Sequence, residues 1–145
     1  MDPDGLLVIG YGSSLRADDA AGTHAARTLA RFGFDSVEAH QLTPELAERI
    51  AQARQVIFID AHTEVAPGQI AVKRVEAGTA AGVLEHHGSP EGIMRLAQEA
   101  FGAAPQAWLI GLGGRNFDFG DGLSRAARSA VWKAVSKVLN GSLCA

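Results

Sequence analysis

The sequence predicts an α/β fold with three layers: a mostly parallel five-stranded sheet, helices on both faces and one antiparallel strand. Short continuous apolar runs such as Leu6-Leu7-Val8-Ile9 and Val56-Ile57-Phe58-Ile59 read as strands buried on both faces. Between them lie segments whose apolar residues recur every three or four positions, the period of amphipathic helices. Strand and helix alternate along the chain, the pattern of a sheet wound on both sides.

The elements follow in order. Leu6–Ile9, ending at Gly10, forms the first strand, and Gly10-Tyr11-Gly12-Ser13-Ser14 a turn. Asp18 or Asp19 is a candidate cap for a helix carrying Gly22, Ala25, Ala26 and Leu29, which ends near Gly33. Val37–His40 is a short second strand. Thr43-Pro44 is expected to start a second helix with Leu46, Ala47, Ile50 and Ala51 on one face, since Thr caps and Pro suits the first helical position. Val56–Asp60 is a third strand that ends in a carboxylate. The segment 69–75 follows too closely for a helical crossover, so it pairs antiparallel at a sheet edge. Residues 78–87 read as loop. Ser89-Pro90 opens a third helix, Ala107–Leu112 is a fifth strand, 113–122 is a glycine-rich loop, and Ser124 caps the last helix.

Composition limits the function classes. The 145 residues fit one domain spanning 1–145, and 47% hydrophobic residues suffice for a core without disulfide or structural metal. A net charge of −3 argues against a general nucleic-acid binder. No apolar run spans a membrane, and the acidic start Met1-Asp2-Pro3-Asp4 is unlike a secretory signal. The one cysteine, Cys144, cannot form an internal disulfide; a cytoplasmic location follows as an expectation, and thiol-based zinc sites are excluded. Any metal chemistry must use nitrogen and oxygen ligands.

In open α/β sheets the binding crevice lies outside the carboxyl ends of the strands. The residues expected there are Gly10 to Asp19, Asp60 with His62, His86-His87, and Arg115, Asp118 and Asp121. Gly10 and Gly12 begin a dinucleotide pattern, but Leu15 stands at the third glycine and no Walker lysine is present. A tight turn under a closely packed helix is the favoured reading; a nucleotide or phosphate site is the weaker one. Asp18-Asp19 divides evenly between helix cap and crevice acid. Asp60, ending an apolar strand, must be hydrogen-bonded, paired or bound to a cation. His86 or His87 gains a functional reading from sharing that rim, whereas His24, inside the first helix, is better read as surface or packing. His62 is close enough to Asp60 to support it. Two carboxylates and a histidine suit nickel, zinc or manganese, and three ligands leave open positions. Ser13 and Ser14 lack a nucleophile elbow, and Cys144 is a poor nucleophile in a terminal tail.

Taken in order, Val8-Ile9-Gly10-Tyr11-Gly12 with Asp18-Asp19-Ala20-Ala21-Gly22, then Ile57-Phe58-Ile59-Asp60-Ala61, then His86-His87 with Ser89-Pro90 and Ile93–Ala97, and finally Phe119–Ser124 resemble the NiFe-hydrogenase maturation endopeptidases over nearly the whole chain. The resemblance implies a peptidase that removes a C-terminal extension from the hydrogenase large-subunit precursor after nickel insertion. It implies Asp19, Asp60 and His86 as the nickel-contacting residues, with His87 as fallback, and Asp19 and Asp60 as the catalytic candidates. Nickel would arrive with the precursor, zinc or another divalent ion could substitute, and the protein is expected to act as a monomer. The chain departs from the family pattern at Ser13 (usually Asn), Ala20 (usually Gly) and His40-Gln41-Leu42 (often Asp-Gly-Gly). The alternative is a non-proteolytic metal-binding α/β module serving metal-centre maturation.

Overall fold

A computed structural model describes residues 4–77 and 88–143. The sheet comprises β1 (Leu6–Tyr11), β2 (Asp35–Ala39), β3 (Gln55–His62), β4 (Ile70–Val75) and β5 (Gln106–Gly113). The helices are α1 (Ala21–Arg31), α2 (Leu46–Gln52), α3 (Pro90–Phe101) and α4 (Arg125–Asn140), with a short 3-10 turn at Ala17–Ala20 before α1. The strand order is β2-β1-β3-β5-β4. Every neighbouring pair is parallel except β4 with β5, so β4 is the antiparallel edge expected from the short gap after β3.

Alternation along each buried strand splits the core in two. Leu6 and Val8 of β1, with Ile57 and Ile59 of β3 and Ile110 and Leu112 of β5, face α1 and α4. Leu7 and Ile9, with Val56, Phe58 and Leu109, face α2 and α3. Both faces are covered, which is why these strands read as continuous apolar runs rather than alternating ones. Each fully buried Leu, Ile or Phe here contributes roughly 1.5–3 kcal/mol.

The helix ends follow the sequence only in part. Ser89 and Ser124 cap α3 and α4, their Oγ atoms accepting the N–H groups of Gly92 and Ala127 at 3.0 and 3.1 Å. Gly102 and Gly141 end the same helices in the left-handed conformation. Thr43 does not cap α2. Its carbonyl and that of Pro44 accept the N–H groups of Leu46 and Ala47, so Thr43-Pro44 forms a turn and the helix begins after Glu45. Neither Asp18 nor Asp19 caps α1, which starts after Ala20 with no side-chain cap. The 3-10 turn is interposed, and both acids have other partners.

Gly10 and Gly22 set how close α1 lies to the sheet. A Cβ on Gly10 would collide with the Gly22 carbonyl, and one on Gly22 with the Ile59 carbonyl. A Cβ on Gly12 would strike the Asp19 carbonyl. These glycines therefore serve the close approach of α1 and the 3-10 turn to the sheet, as the tight-turn reading expects. Among the described residues no helix is long and apolar enough to cross a membrane.

Candidate functional site

The strand order reverses around β1: β2 lies on one side and β3 on the other. The crevice of such a sheet opens at that switch point, outside the carboxyl ends of the two strands. The register aligns Gly10 with Ile59, so Tyr11 and Asp60 come side by side at that rim.

Asp60 is the centre of the cluster. Its side chain retains 20% exposure, enough to meet a ligand and little enough to be costly as a free charge. Burial pushes the Asp60 carboxyl above the usual carboxylate range, His62 opposes this by hydrogen bond and charge, and the nearby Asp19 carboxylate adds to the rise. His62 Nε2 lies 3.5 Å from Asp60 Oδ2, and the same pairing raises the His62 imidazole above its ordinary value against the effect of its partial burial. The His62 ring packs over Gly111 of β5, where a side chain would crowd it. Tyr11 stands beside Asp60; its phenol is raised well above the ordinary range, first by burial and then by the neighbouring Asp60 carboxylate.

Asp19, in the short turn that follows β1, adds a second carboxylate to the same rim and acts on Asp60 by charge. Its Oδ2 accepts the Ser13 N–H at 2.7 Å, which pins the carboxylate against the turn after β1. Two carboxylates thus stand near enough for one to raise the proton affinity of the other, a local charge imbalance that a cation relieves.

Asp18 points the opposite way. It is fully buried, and its carboxylate accepts the N–H groups of Arg115, Asn116 and Ser124 and the Ser124 hydroxyl, at 2.6 to 2.9 Å. Burial alone would raise its carboxyl; the four hydrogen bonds outweigh burial and hold it below the usual range. The Asp18 N–H also donates to Asn116 O, and Ala17 N–H to Gly120 O. Ala17 adopts φ +36°, an uncommon value for a residue with a Cβ, beside this anchor. The Asp-Asp pair therefore has one structural member and one facing the crevice, and neither acts as the cap considered from sequence.

His86 and His87 lie outside the described residues, as do Met1–Pro3, the rest of the segment 78–87 expected to be loop, Cys144 and Ala145. Among the described residues no group of three or more His, Cys, Asp or Glu side chains is placed to hold a metal ion. The described site thus has two acids, Asp19 and Asp60, with His62 paired to the second. His24 is half-buried in α1, its imidazole lowered by burial and by Arg27. His40, Asp118 and Asp121 are exposed. Sequence reasoning missed Tyr11 as a partner of Asp60. The available signal was a polar aromatic closing an apolar strand directly before the turn that leads to Asp19.

Comparison with solved structures gives one architecture. The chain superposes on the NiFe hydrogenase maturation protease HybD from Thermococcus kodakarensis with a TM-score of 0.75 and 22% identity, over 94% of this chain and 98% of that one. It shares this fold. The hydrogenase maturating endopeptidase HybD from E. coli matches with a TM-score of 0.72 and 21% identity, over 94% of this chain and 90% of that one. The hydrogenase 2 maturation peptidase from a Thaumarchaeota archaeon matches at 0.68 and 23% identity, over 94% and 96%. No protein-family model matches the sequence, and no curated protein matches it significantly.

Proposed function

We propose that the protein is an endopeptidase that matures a NiFe-hydrogenase large-subunit precursor by removing its C-terminal extension once nickel is in place. Asp19, Asp60 and His86 are the residues assigned to contact that nickel, which is part of the substrate. The observation that carries the reading is the placing of Asp19 after β1 and of Asp60 at the end of β3, at the switch point of the sheet, with Asp60 partly buried and paired with His62. Two such carboxylates favour a divalent cation, and a nitrogen donor on the same rim would complete a set suited to nickel. The chain-long likeness to three hydrogenase maturation peptidases supports the same reading.

The chain's own residues would work as follows. Ser13 holds Asp19, and Tyr11 and His62 hold Asp60, so the carboxylates meet the incoming metal in fixed orientation. Anchoring the precursor by its metal places the scissile peptide beside the two acids, which converts an encounter into an intramolecular reaction. Asp60, whose proton is held more tightly than usual, is the acid suited to exchange a proton with the attacking water or the leaving amine.

The test is a processing assay with nickel-loaded precursor. Wild type shortens the precursor; Asp19→Ala and His86→Ala do not, while circular dichroism shows both still folded. Normal cleavage by both variants overturns the assignment. Nickel binding by calorimetry without any cleavage by the wild type would instead favour a metal-binding module.

A further inference from the structure

A second feature of the rim is basic. An open cavity of about 590 Å³ lies between the start of β4 and the start of α4, lined by Gln69, Arg115, Ser124, Arg125, Ser129 and Lys133 among others. Its three cations come from the loop after β5, the first residue of α4 and a position two turns further along that helix. Among the described residues no carboxylate lines it. Arg115 and Arg125 form no ion pair among the described residues. Lys133 spends its ammonium on neutral acceptors, the Gly68 carbonyl at 2.8 Å and Gln69 Oε1 at 3.3 Å. The acidic residues of the neighbouring loop, Asp118 and Asp121, do not line the cavity. Asp18, the acid bonded to its wall, already accepts four hydrogen bonds.

Such a concentration of unneutralised positive charge runs against the chain's net charge of −3. Like charges held together without acid partners repel one another, and an anionic ligand removes that cost. The cavity is also coupled to the crevice. Arg115 and Ser124 in its wall donate backbone N–H groups to Asp18, whose chain neighbour is Asp19. Arg115 also follows β5 just beyond Gly113, which pairs with His62 of the neighbouring β3, so the cavity and Asp60 share the carboxyl rim of the sheet.

We infer that the cavity lined by Arg115, Arg125 and Lys133 is a subsite for carboxylate side chains, taking an acidic stretch of a polypeptide substrate that lies across the Asp19–Asp60 crevice. That this polypeptide is a hydrogenase precursor rests on the function proposed above; the recognition of an acidic peptide does not. The subsite gives the protein a second, metal-independent hold on its substrate. Two separated contacts set the direction in which the peptide lies over the acids.

The experiment measures fluorescence anisotropy of a fluorescein-labelled oligoglutamate peptide titrated with the full chain at low salt. Wild type binds it and does not bind an oligoglutamine peptide. The double variant Arg115→Ser/Arg125→Ser weakens binding about tenfold or more, and Lys133→Ser weakens it less. Arg31→Ser/Arg54→Ser, an equal charge change at the opposite end of the sheet, leaves binding intact. The readout needs neither metal nor cleavage, which separates this result from any failure of the cleavage assay. The inference is overturned if the double variant binds as wild type does. It is overturned equally if the Arg31/Arg54 control weakens binding as much, or if inorganic phosphate at matching concentration displaces the peptide completely.

Discussion

Asp18 and Asp60 are both carboxylates at the carboxyl rim of one sheet, and their surroundings drive them in opposite directions. Asp18 is sealed from water but meets four donors, so its charge is favoured. Asp60 is partly open, has His62 and Tyr11 as partners, and faces a second carboxylate, so its charge is disfavoured. Full burial with complete hydrogen bonding makes a structural anchor. Partial burial with incomplete compensation leaves a group whose remaining demand an external ligand can meet.

Substitutions at the two sites should separate these roles. The largest expected effect is on processing: Asp19→Ala abolishes cleavage of nickel-loaded precursor while its urea-denaturation midpoint stays near that of wild type. Next is Asp18→Asn, which replaces an acceptor by an amide group facing four donors; it should lower stability by about 2–4 kcal/mol in urea titrations. Ser124→Ala loses both the hydroxyl bond to Asp18 and the cap of α4, and should cost about 1–2 kcal/mol.

The smallest effect is the one that tests the comparison most directly, because the two acids give stability opposite pH slopes. Asp18 has a lowered folded value, so its contribution is present above the ordinary carboxylate range and is lost as pH falls through the folded value. Asp60 has a raised folded value. The folded chain keeps its proton longer than the unfolded chain, and stability falls as pH climbs from the ordinary range through the folded value. Asp60→Asn should therefore raise stability at neutral pH and leave it unchanged in strong acid, where folded and unfolded chains both hold the proton. Denaturation curves at acid and neutral pH check this; destabilisation at neutral pH would mean that His62 compensates Asp60 fully.

Much of the fold was legible in the sequence because periodicity and turn chemistry are local. Leu6–Ile9 and Val56–Ile59 announce strands covered on both faces, and the short step from His62 to Gln69 rules out a crossover and makes β4 antiparallel. Ser89 and Ser124 are caps that the next few residues suffice to reveal. Thr43-Pro44 misled because a turn and a helix start share the same residues. The division of labour within Asp18-Asp19 was not legible. It depends on donors at Arg115, Asn116 and Ser124, far along the chain, and no local rule connects them. The partnership of Tyr11 with Asp60 likewise depends on the register of β1 against β3, which neither segment specifies alone.

The Asp18 anchor has a consequence for the order of assembly. Its side-chain partners lie 97 to 106 residues away in sequence. Closing so long a loop costs conformational entropy before any bond repays it, and contacts of this kind form late in folding. During synthesis the turn that carries Asp19 has no such anchor until β5 and the start of α4 have emerged. The crevice therefore takes its final shape only after residues 115–124 have been made and docked. Pulsed hydrogen exchange during refolding of the full chain should find the backbone amides of residues 16–19 protected later than those of β1 and β3.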